Sequence, residues 1–188
     1  EVIENLLGKV DRLLIGGAMA FTFLKSQGKE IGKSLCETDK LDLARELLAR
    51  GQSRIVLPVD AIASSSMEDE ASAHAVPAGQ IPEGEMGLDI GPKSSAEYAE
   101  IIRSAKTIVW NGPMGVFEKD AFAAGTVHVA RAVADSQAVS VIGGGDSAAA
   151  VAKAGLADRI THISTGGGAS LEFLAGQVLP GVAALNDK

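Results

Sequence analysis

Short apolar runs recur along the chain, and each is rich in Ile, Val or Leu, which favour strands. The runs cover residues 12–15, 54–59, 87–90, 107–110, 138–142 and 161–164. Between them, apolar residues spaced three and four apart predict helices. The helical pattern is found at 18–26, 39–50, 94–104 and 148–153.

The alternation of strands and helices predicts the fold class. Strands that are short and apolar on both faces are typical of a parallel sheet covered by helices. We therefore expect an α/β fold, with an open, mostly parallel, doubly wound (Rossmann-like) sheet and helices on both faces, in three layers α/β/α. The length predicts one domain, residues 1–188. The polar segment 64–82 interrupts the pattern, and we interpret it as a surface excursion, with a hairpin as one form that it could take.

The 22 glycines concentrate where the predicted strands end. Ligands of open α/β sheets bind beyond the carboxyl ends of the strands, so this concentration predicts a ligand site at that edge. Gly143-Gly144-Gly145-Asp146-Ser147 joins a strand to an alanine-rich helix, and Thr165-Gly166-Gly167-Gly168 follows the next strand. The free N–H groups of two such helix starts could bind one polyphosphate, and Asp146 could contact Mg²⁺ beside it. A tight turn with Asp146 as helix cap is the structural alternative.

The segment 110–118 follows a strand directly and combines Trp, Asn, Pro, Gly and one carboxylate. It offers an apolar wall, an amide and Glu118, which suffices for a purine and a ribose; a structural turn anchored by Trp110 is the alternative.

Two further glycine motifs resemble known nucleotide-binding loops. Gly28 to Ser34 resembles a P-loop, but three residues instead of four separate its glycines and it follows a helix, so we reject it. Gly143-x-Gly145-x-x-Ala148 fits a dinucleotide fingerprint, yet the next strand, ending at Ser164, carries no acid for a ribose. An NAD-dependent oxidoreductase module is kept as the alternative function.

Composition and charge exclude several classes of binding partner and of site. The net charge of −7 argues against a nucleic-acid binder or a protein held at an anionic membrane. The single cysteine, Cys36, excludes an intrachain disulfide and fits a reducing compartment. No apolar stretch is long enough for a transmembrane helix. His74, His128 and His162 lack the spacing of metal ligands.

Several segments together resemble phosphoglycerate kinase and occur in the order of that family. They are IGGAMAFTFL at 15–24, LPVD at 57–60, MGLDIGP at 86–92, VWNGPMGVFE at 109–118, GGGD at 143–146 and STGGGAS at 164–170. The resemblance implies reversible phosphoryl transfer between 1,3-bisphosphoglycerate and Mg-ADP, which gives 3-phosphoglycerate and Mg-ATP. It also implies that the chain corresponds to the carboxy-terminal, nucleotide-binding half of a cytoplasmic, monomeric, two-lobed enzyme.

The resemblance assigns roles to individual residues. The adenine slot would be lined by Gly17, Gly87, Leu88, Pro113 and Val116. Glu118 would bind the ribose, and Asn111 would lie near the phosphates. The phosphate–Mg²⁺ end would be held by Gly144, Gly145, Asp146 and Ser147, with Asp146 as the metal contact. Backbone amides at Gly144, Gly167 and Gly168 would face the transferred phosphoryl group.

The chain opens on a helical pattern without Met, and the lysine-bearing glycine segment of the family is not in it. We therefore expect a part of a longer kinase, whose substrate lobe would hold the 3-phosphoglycerate. This part alone should bind nucleotide without turnover. A fragment with no function of its own is a further alternative. Residues 183–188 are expected to be exposed, because the resemblance implies that this tail packs on the other lobe.

Overall fold

A computed structural model of the chain describes residues 2–164 and 166–185. Its α-helices are α1 (Val2–Leu7), α2 (Gly17–Ser26), α3 (Leu41–Gly51), α4 (Pro92–Ser104), α5 (Ala124–Asp135), α6 (Gly145–Lys153), α7 (Gly168–Leu174) and α8 (Pro180–Ala183). Its strands are β1 (Leu13–Leu14), β2 (Glu30–Ile31), β3 (Ile55–Val56), β4 (Asp60–Ser64), β5 (His74–Pro77), β6 (Gln80–Ile81), β7 (Met86–Ile90), β8 (Thr107–Asn111), β9 (Val139–Gly143) and β10 (His162–Ser164).

Parallel pairing dominates where strands and helices alternate. The strands β8, β9 and β10 pair in parallel in the order β10-β9-β8, and β1 pairs in parallel with β3. The register aligns Asn111 with Gly143 and Gly143 with Ser164, so three neighbouring strands end at the same level. The sheet therefore presents these three ends as one edge.

Helices cover both faces of the parallel strands. Successive side chains of a strand point to opposite faces. Leu13 and Ile15 pack into a core with α2 and α3, whereas Leu14 packs into a second core with α4 and α5. In β3, Ile55 and Val56 divide between the two cores in the same way. The predicted three-layer, mostly parallel α/β fold is confirmed.

The larger core lies between the parallel strands and the helices α4, α5 and α6. Ile142 and Val151 are fully buried there, and Trp110 and Val133 are nearly so. Full burial of an aliphatic side chain contributes about 1.5–3 kcal/mol. This packing holds the ends of β8 and β9 against the start of α6.

The strand at Met86–Ile90 departs from the predicted parallel arrangement. It pairs antiparallel with β4, which in turn pairs antiparallel with β5, in the order β5-β4-β7. The run at 54–59 is also shorter than predicted, because Pro58 lacks the N–H group that further pairing would need. The chain resumes as β4 at Asp60, in a different sheet.

The segment 64–82 contains the strands β5 and β6. The pairing of β5 with β4 confirms that the excursion forms an antiparallel hairpin-like unit, and β6 pairs in parallel with β2. Glu70 links the excursion to the loop after β8, since Ala121 N–H donates to Glu70 Oε2 at 3.2 Å.

The carboxy-terminal residues are exposed as far as the structure describes them. Residues 181–185 are all exposed, with Leu185 at 72%. This agrees with the expectation for the tail, of which residues 186–188 lie outside the described residues. In the described part of the chain, no helix combines the length and apolar character that crossing a bilayer requires.

Candidate functional site

An apolar cleft of about 350 Å³ lies between α2, the antiparallel strands β4 and β7, and the loop that follows β8. Its lining includes Gly17, Gly87, Leu88, Pro113 and Val116. These are the five residues that the sequence resemblance assigns to an adenine slot, and they come from three separate parts of the chain. Apolar surface with few polar groups suits a flat aromatic base.

Gly87 lets the ring of Phe21 lie close to β7 at the wall of the cleft. A Cβ at this position would overlap the ring of Phe21, which is buried and lines the same cleft. The absence of a side chain lets the Phe21 ring pack directly against the strand. A flat wall therefore forms where a larger residue would push the ring away.

The 113–116 loop forms the opposite wall and is held by hydrogen bonds from three directions. Val116 N–H donates to the Leu88 carbonyl at 2.9 Å, and Gly17 N–H donates to the Met114 carbonyl at 3.1 Å. The hydroxyl oxygen of Thr126, on α5, accepts from Met114 N–H at 3.0 Å. Because these hydrogen bonds connect the loop to β7, α2 and α5, this wall of the cleft is fixed to the rest of the fold.

Asp89 is the buried ionisable group of this cleft. It is 3% exposed and lines the cleft beside Leu88. Its Oδ2 accepts from Gly125 N–H at 2.7 Å, and its Oδ1 accepts from Ile90 N–H at 2.9 Å. Burial raises the pKa of the Asp89 carboxyl to about 7, although both N–H groups favour the charged form.

The ends of β8, β9 and β10 lie beyond the cleft. Asn111 ends β8 opposite Gly143, and its side-chain oxygen lies beside Gly143 and Gly144. A Cβ on Gly144 would lie 3.1 Å from Asn111 Oδ1. The amide of Asn111 therefore faces the glycine turn that begins α6.

The turn before α6 requires a glycine at position 144, where φ is +89°. The N–H groups of the first helical turn, at Gly145, Asp146 and Ser147, have no carbonyl of their own helix to bind. Gly145 has open space on its Cβ side and is exposed, as is Asp146. These N–H groups can bind an anion.

The Ser147 side chain is fully buried, in contrast to its neighbours. Its hydroxyl oxygen accepts a hydrogen bond from Gly112 N–H at 2.7 Å. The hydroxyl thus joins α6 to the loop after β8.

The start of α7 lies next to the start of α6. A Cβ on Gly143 would lie 3.4 Å from Ser170 Cβ, in the first turn of α7. Gly167 and Gly168 have open space around the position of a Cβ. Thr165 lies outside the described residues. The two glycine-rich helix starts are therefore neighbours. Among the described residues, and apart from the adjacent chain, no atom lies within 4 Å of a Cβ placed on Gly145, Gly167 or Gly168.

Asp146 is the carboxylate nearest to the free N–H groups in sequence. Among residues 2–164 and 166–185, no group of three or more His, Cys, Asp or Glu is placed to hold a metal ion. A single exposed carboxylate beside a turn with free N–H groups nevertheless fits Mg²⁺, which usually takes one or two carboxylates together with substrate phosphates and water.

Glu118 lies two residues beyond Val116 and is exposed. Lys153, at the end of α6, donates to the Phe117 carbonyl at 3.0 Å and so anchors the backbone of this segment. Glu118 therefore lies next in sequence to the cleft wall, with its carboxylate on the protein surface.

Comparison with known proteins gives the family. The sequence profile of phosphoglycerate kinase matches residues 1–177. A phosphoglycerate kinase of Chlorobium phaeobacteroides is 60% identical over 193 residues, which cover 100% of this chain and 49% of the relative. The phosphoglycerate kinase of Clostridium tetani is 57% identical over 191 residues, with 100% and 48% covered.

The chain belongs to the phosphoglycerate kinase family.

Solved structures of the family agree with the fold described above. The phosphoglycerate kinase of Coxiella burnetii matches with a TM-score of 0.92 at 46% identity, covering 97% of this chain and 48% of that one. The enzyme of Pyrococcus horikoshii matches with a TM-score of 0.86 at 39% identity, covering 98% and 47%.

The chain spans about half the length of the phosphoglycerate kinases that it matches, and it aligns to their carboxy-terminal half. The resemblance stated from the sequence motifs is confirmed. The alternative of an NAD-dependent oxidoreductase module finds no support among the relatives described.

Several residues that line the cleft were not predicted from the sequence. They are Phe21, Leu35 and Met67. In the sequence they are indistinguishable from ordinary apolar residues of a helix and two loops. Asp89 did carry a signal, because it is a lone carboxylate inside an apolar strand. Thr126 carried none, since the contact of its hydroxyl with the 113–116 loop depends on how α5 packs.

Proposed function

We propose that this chain is a nucleotide-binding domain, residues 1–188, that holds Mg-ADP or Mg-ATP for a phosphoglycerate kinase. The observation that carries the proposal is the cleft lined by Gly17, Gly87, Leu88, Pro113 and Val116. The adenine would lie in this cleft, and the ribose hydroxyls would donate hydrogen bonds to Glu118.

The phosphates would run along the edge formed by β8, β9 and β10. Asn111 and the N–H groups of Gly144, Gly145, Asp146 and Ser147 would contact them there. Asp146 would hold Mg²⁺, which neutralises phosphate charge when bound. The backbone amides at Gly144, Gly167 and Gly168 would face the phosphoryl group that is transferred.

The reaction itself would belong to the longer protein. Phosphoryl transfer depends on positioning and on charge stabilisation, and free N–H groups at helix starts supply part of both. The acid substrates, 1,3-bisphosphoglycerate and 3-phosphoglycerate, would be held by a second lobe. We propose that the protein acts in the cytoplasm as a monomer. The free Cys36 fits a reducing compartment, and the monomeric state is what the family resemblance implies.

Isothermal titration calorimetry with ADP, with and without Mg²⁺, tests the binding proposal. We expect saturable binding of ADP to this chain, together with phosphoglycerate kinase turnover close to background in a coupled assay. NADH serves as the matched control ligand, and no binding is expected. Absence of heat with millimolar ADP would contradict the proposal, and saturable NADH binding would favour the oxidoreductase alternative.

A further inference from the structure

Asp89 is a buried carboxylate to which the proposed nucleotide site assigns no direct contact. It lies on β7 between Leu88 and Ile90, and it is 3% exposed. Both of its oxygens accept backbone N–H groups, from Ile90 at 2.9 Å and from Gly125 at 2.7 Å. The second of these bonds joins the strand to the first turn of α5.

A short chain of contacts leads from this carboxylate to the cleft wall. Thr126 follows Gly125 on α5, is 1% exposed, and accepts N–H groups from Met114 at 3.0 Å and from Gly115 at 3.3 Å. Asp89 also abuts the loop itself, since a Cβ on Gly115 would overlap Asp89 Oδ1. The position of the 113–116 loop therefore depends on where Asp89 holds the start of α5.

We propose that Asp89 is a positioning residue for nucleotide binding, whose carboxylate fixes the start of α5 and thereby the 113–116 loop against the base. The proposal rests on the proposed function, because it assumes that the cleft binds adenine.

Asp60 provides a comparison within the same antiparallel sheet. It is 6% exposed and accepts N–H groups from Lys93 at 3.0 Å and from Ser94 at 2.8 Å, at the start of α4. Asp60 is not among the residues that line the cleft, and the bonds described for the 113–116 loop come from α2, β7 and α5. Two buried aspartates thus hold two helix starts, and the helix held by Asp89 supports the cleft wall.

The environment of Asp89 makes its ionised form costly. Burial raises the pKa of the Asp89 carboxyl to about 7, so above that pH the folded chain holds a carboxylate in a site that disfavours its charge. Ionisable groups with strongly shifted pKa values cluster at functional sites. An asparagine of the same shape would avoid this cost, and it would leave one of the two N–H groups facing an amide NH₂ instead of an oxygen.

The test compares Asp89→Asn with the wild-type chain at about pH 8, using metal-free ADP as the probe. We expect affinity for ADP to fall about three- to tenfold, the loss typical of one hydrogen bond. We expect the urea midpoint of unfolding to stay equal or rise, because a buried charge is removed. A variant that merely loosened the fold would lower both quantities.

Asp60→Asn is the matched control. Its urea midpoint is expected to fall, because Asp60 accepts three hydrogen bonds, including that of the Ser94 hydroxyl. Its affinity for ADP should stay within about twofold of wild type, a change well below the free energy of one hydrogen bond.

Thr126 supplies a second pair of variants. Thr126→Val removes the hydroxyl that accepts from the loop and should weaken ADP binding, whereas Thr126→Ser keeps the hydroxyl and should restore it.

Unchanged ADP affinity in Asp89→Asn would overturn this proposal while leaving the proposed function in place. An equal loss of affinity in Asp60→Asn would also overturn it, because the effect would then be general. A wild-type chain that binds no ADP would overturn the proposed function, and this proposal with it.

Discussion

At residue scale, the cleft depends on close contacts that only small residues permit. Gly87 lets the Phe21 ring lie against β7, and Gly115 and Gly125 let two segments approach Asp89. Gly87 and Gly115 belong to motifs visible in the sequence, whereas Gly125 lies in the first turn of α5. The atoms that approach all three come from distant positions. The sequence could therefore predict where space is needed, and the structure shows what occupies it.

Asp89 makes stability depend on pH in a direction opposite to that of most carboxylates. Its pKa is raised from 3.8 to about 7, so between these values the folded chain holds a proton that the unfolded chain releases. The free energy of unfolding should fall as pH rises through this window and level off above about pH 7. The Asp89 contribution to this fall should be on the order of a few kcal/mol.

Urea unfolding of wild type and Asp89→Asn at about pH 5 and about pH 8 measures this contribution. The two chains should be similar at the lower pH, and the variant should be the more stable at the higher pH. Parallel pH profiles for the two chains would contradict the assignment of this dependence to Asp89.

Substitution of Asp146 should lower the affinity for metal-bound nucleotide more than the affinity for metal-free nucleotide. Because its carboxylate is exposed at the first turn of α6, Asp146→Ala would remove the proposed metal contact with little effect on packing. We expect affinity for Mg-ADP to fall about tenfold and affinity for metal-free ADP to change less than about twofold. Asp158→Ala, an exposed aspartate beyond the other end of α6, is the control. An equal loss for both forms of ADP would contradict a metal role.

At element scale, the parallel strands and most of their helices were predicted from the sequence, whereas α5 (Ala124–Asp135) and the antiparallel pairing were not. Strands β8, β9 and β10 are apolar runs followed by glycine motifs, and local pattern suffices to predict them. The direction of β7 depends on β4 lying beside it, and β4 begins at Asp60, just after the predicted run at 54–59. Pairing between distant segments is not encoded in the periodicity of either one.

Tyr98 joins three elements and was not identified from the sequence. It is fully buried on α4, and its hydroxyl lies 2.6 Å from the Ile15 carbonyl and 3.2 Å from the Val56 carbonyl. One helix side chain thereby reaches the ends of both β1 and β3. Burial raises the pKa of the Tyr98 hydroxyl, so it stays protonated and can donate.

Tyr98→Phe should lower the free energy of unfolding by about 1–2 kcal/mol, because a buried carbonyl loses its donor. Urea unfolding measures this change. ADP affinity, measured under conditions where both chains are folded, should stay within about twofold of wild type, a difference of about 0.4 kcal/mol. A stability equal to that of wild type would show that the hydroxyl does not hold these strands together.

At the scale of the whole molecule, the candidate site divides into an apolar end and an anion-binding end. The cleft between α2, β7 and the 113–116 loop forms the first, and the starts of α6 and α7 form the second. The motif resemblance named residues at both of these places, and their roles in binding stay a prediction. It could not predict the supporting contacts of Asp89, Thr126 and Ser147, because these depend on how α5 and α6 pack against the strands.

We predict that one nucleotide contacts the cleft and the starts of α6 and α7 at the same time. The backbone amide spectrum of isotopically labelled chain, recorded by NMR during titration with Mg-ADP, tests this directly. We expect the largest shifts at Gly17, Leu88 and Val116 and also at Gly145 and Gly168, with adenosine alone shifting the first three. Shifts confined to one end, or an unchanged spectrum at saturating Mg-ADP, would contradict a single site that spans the cleft and the helix starts.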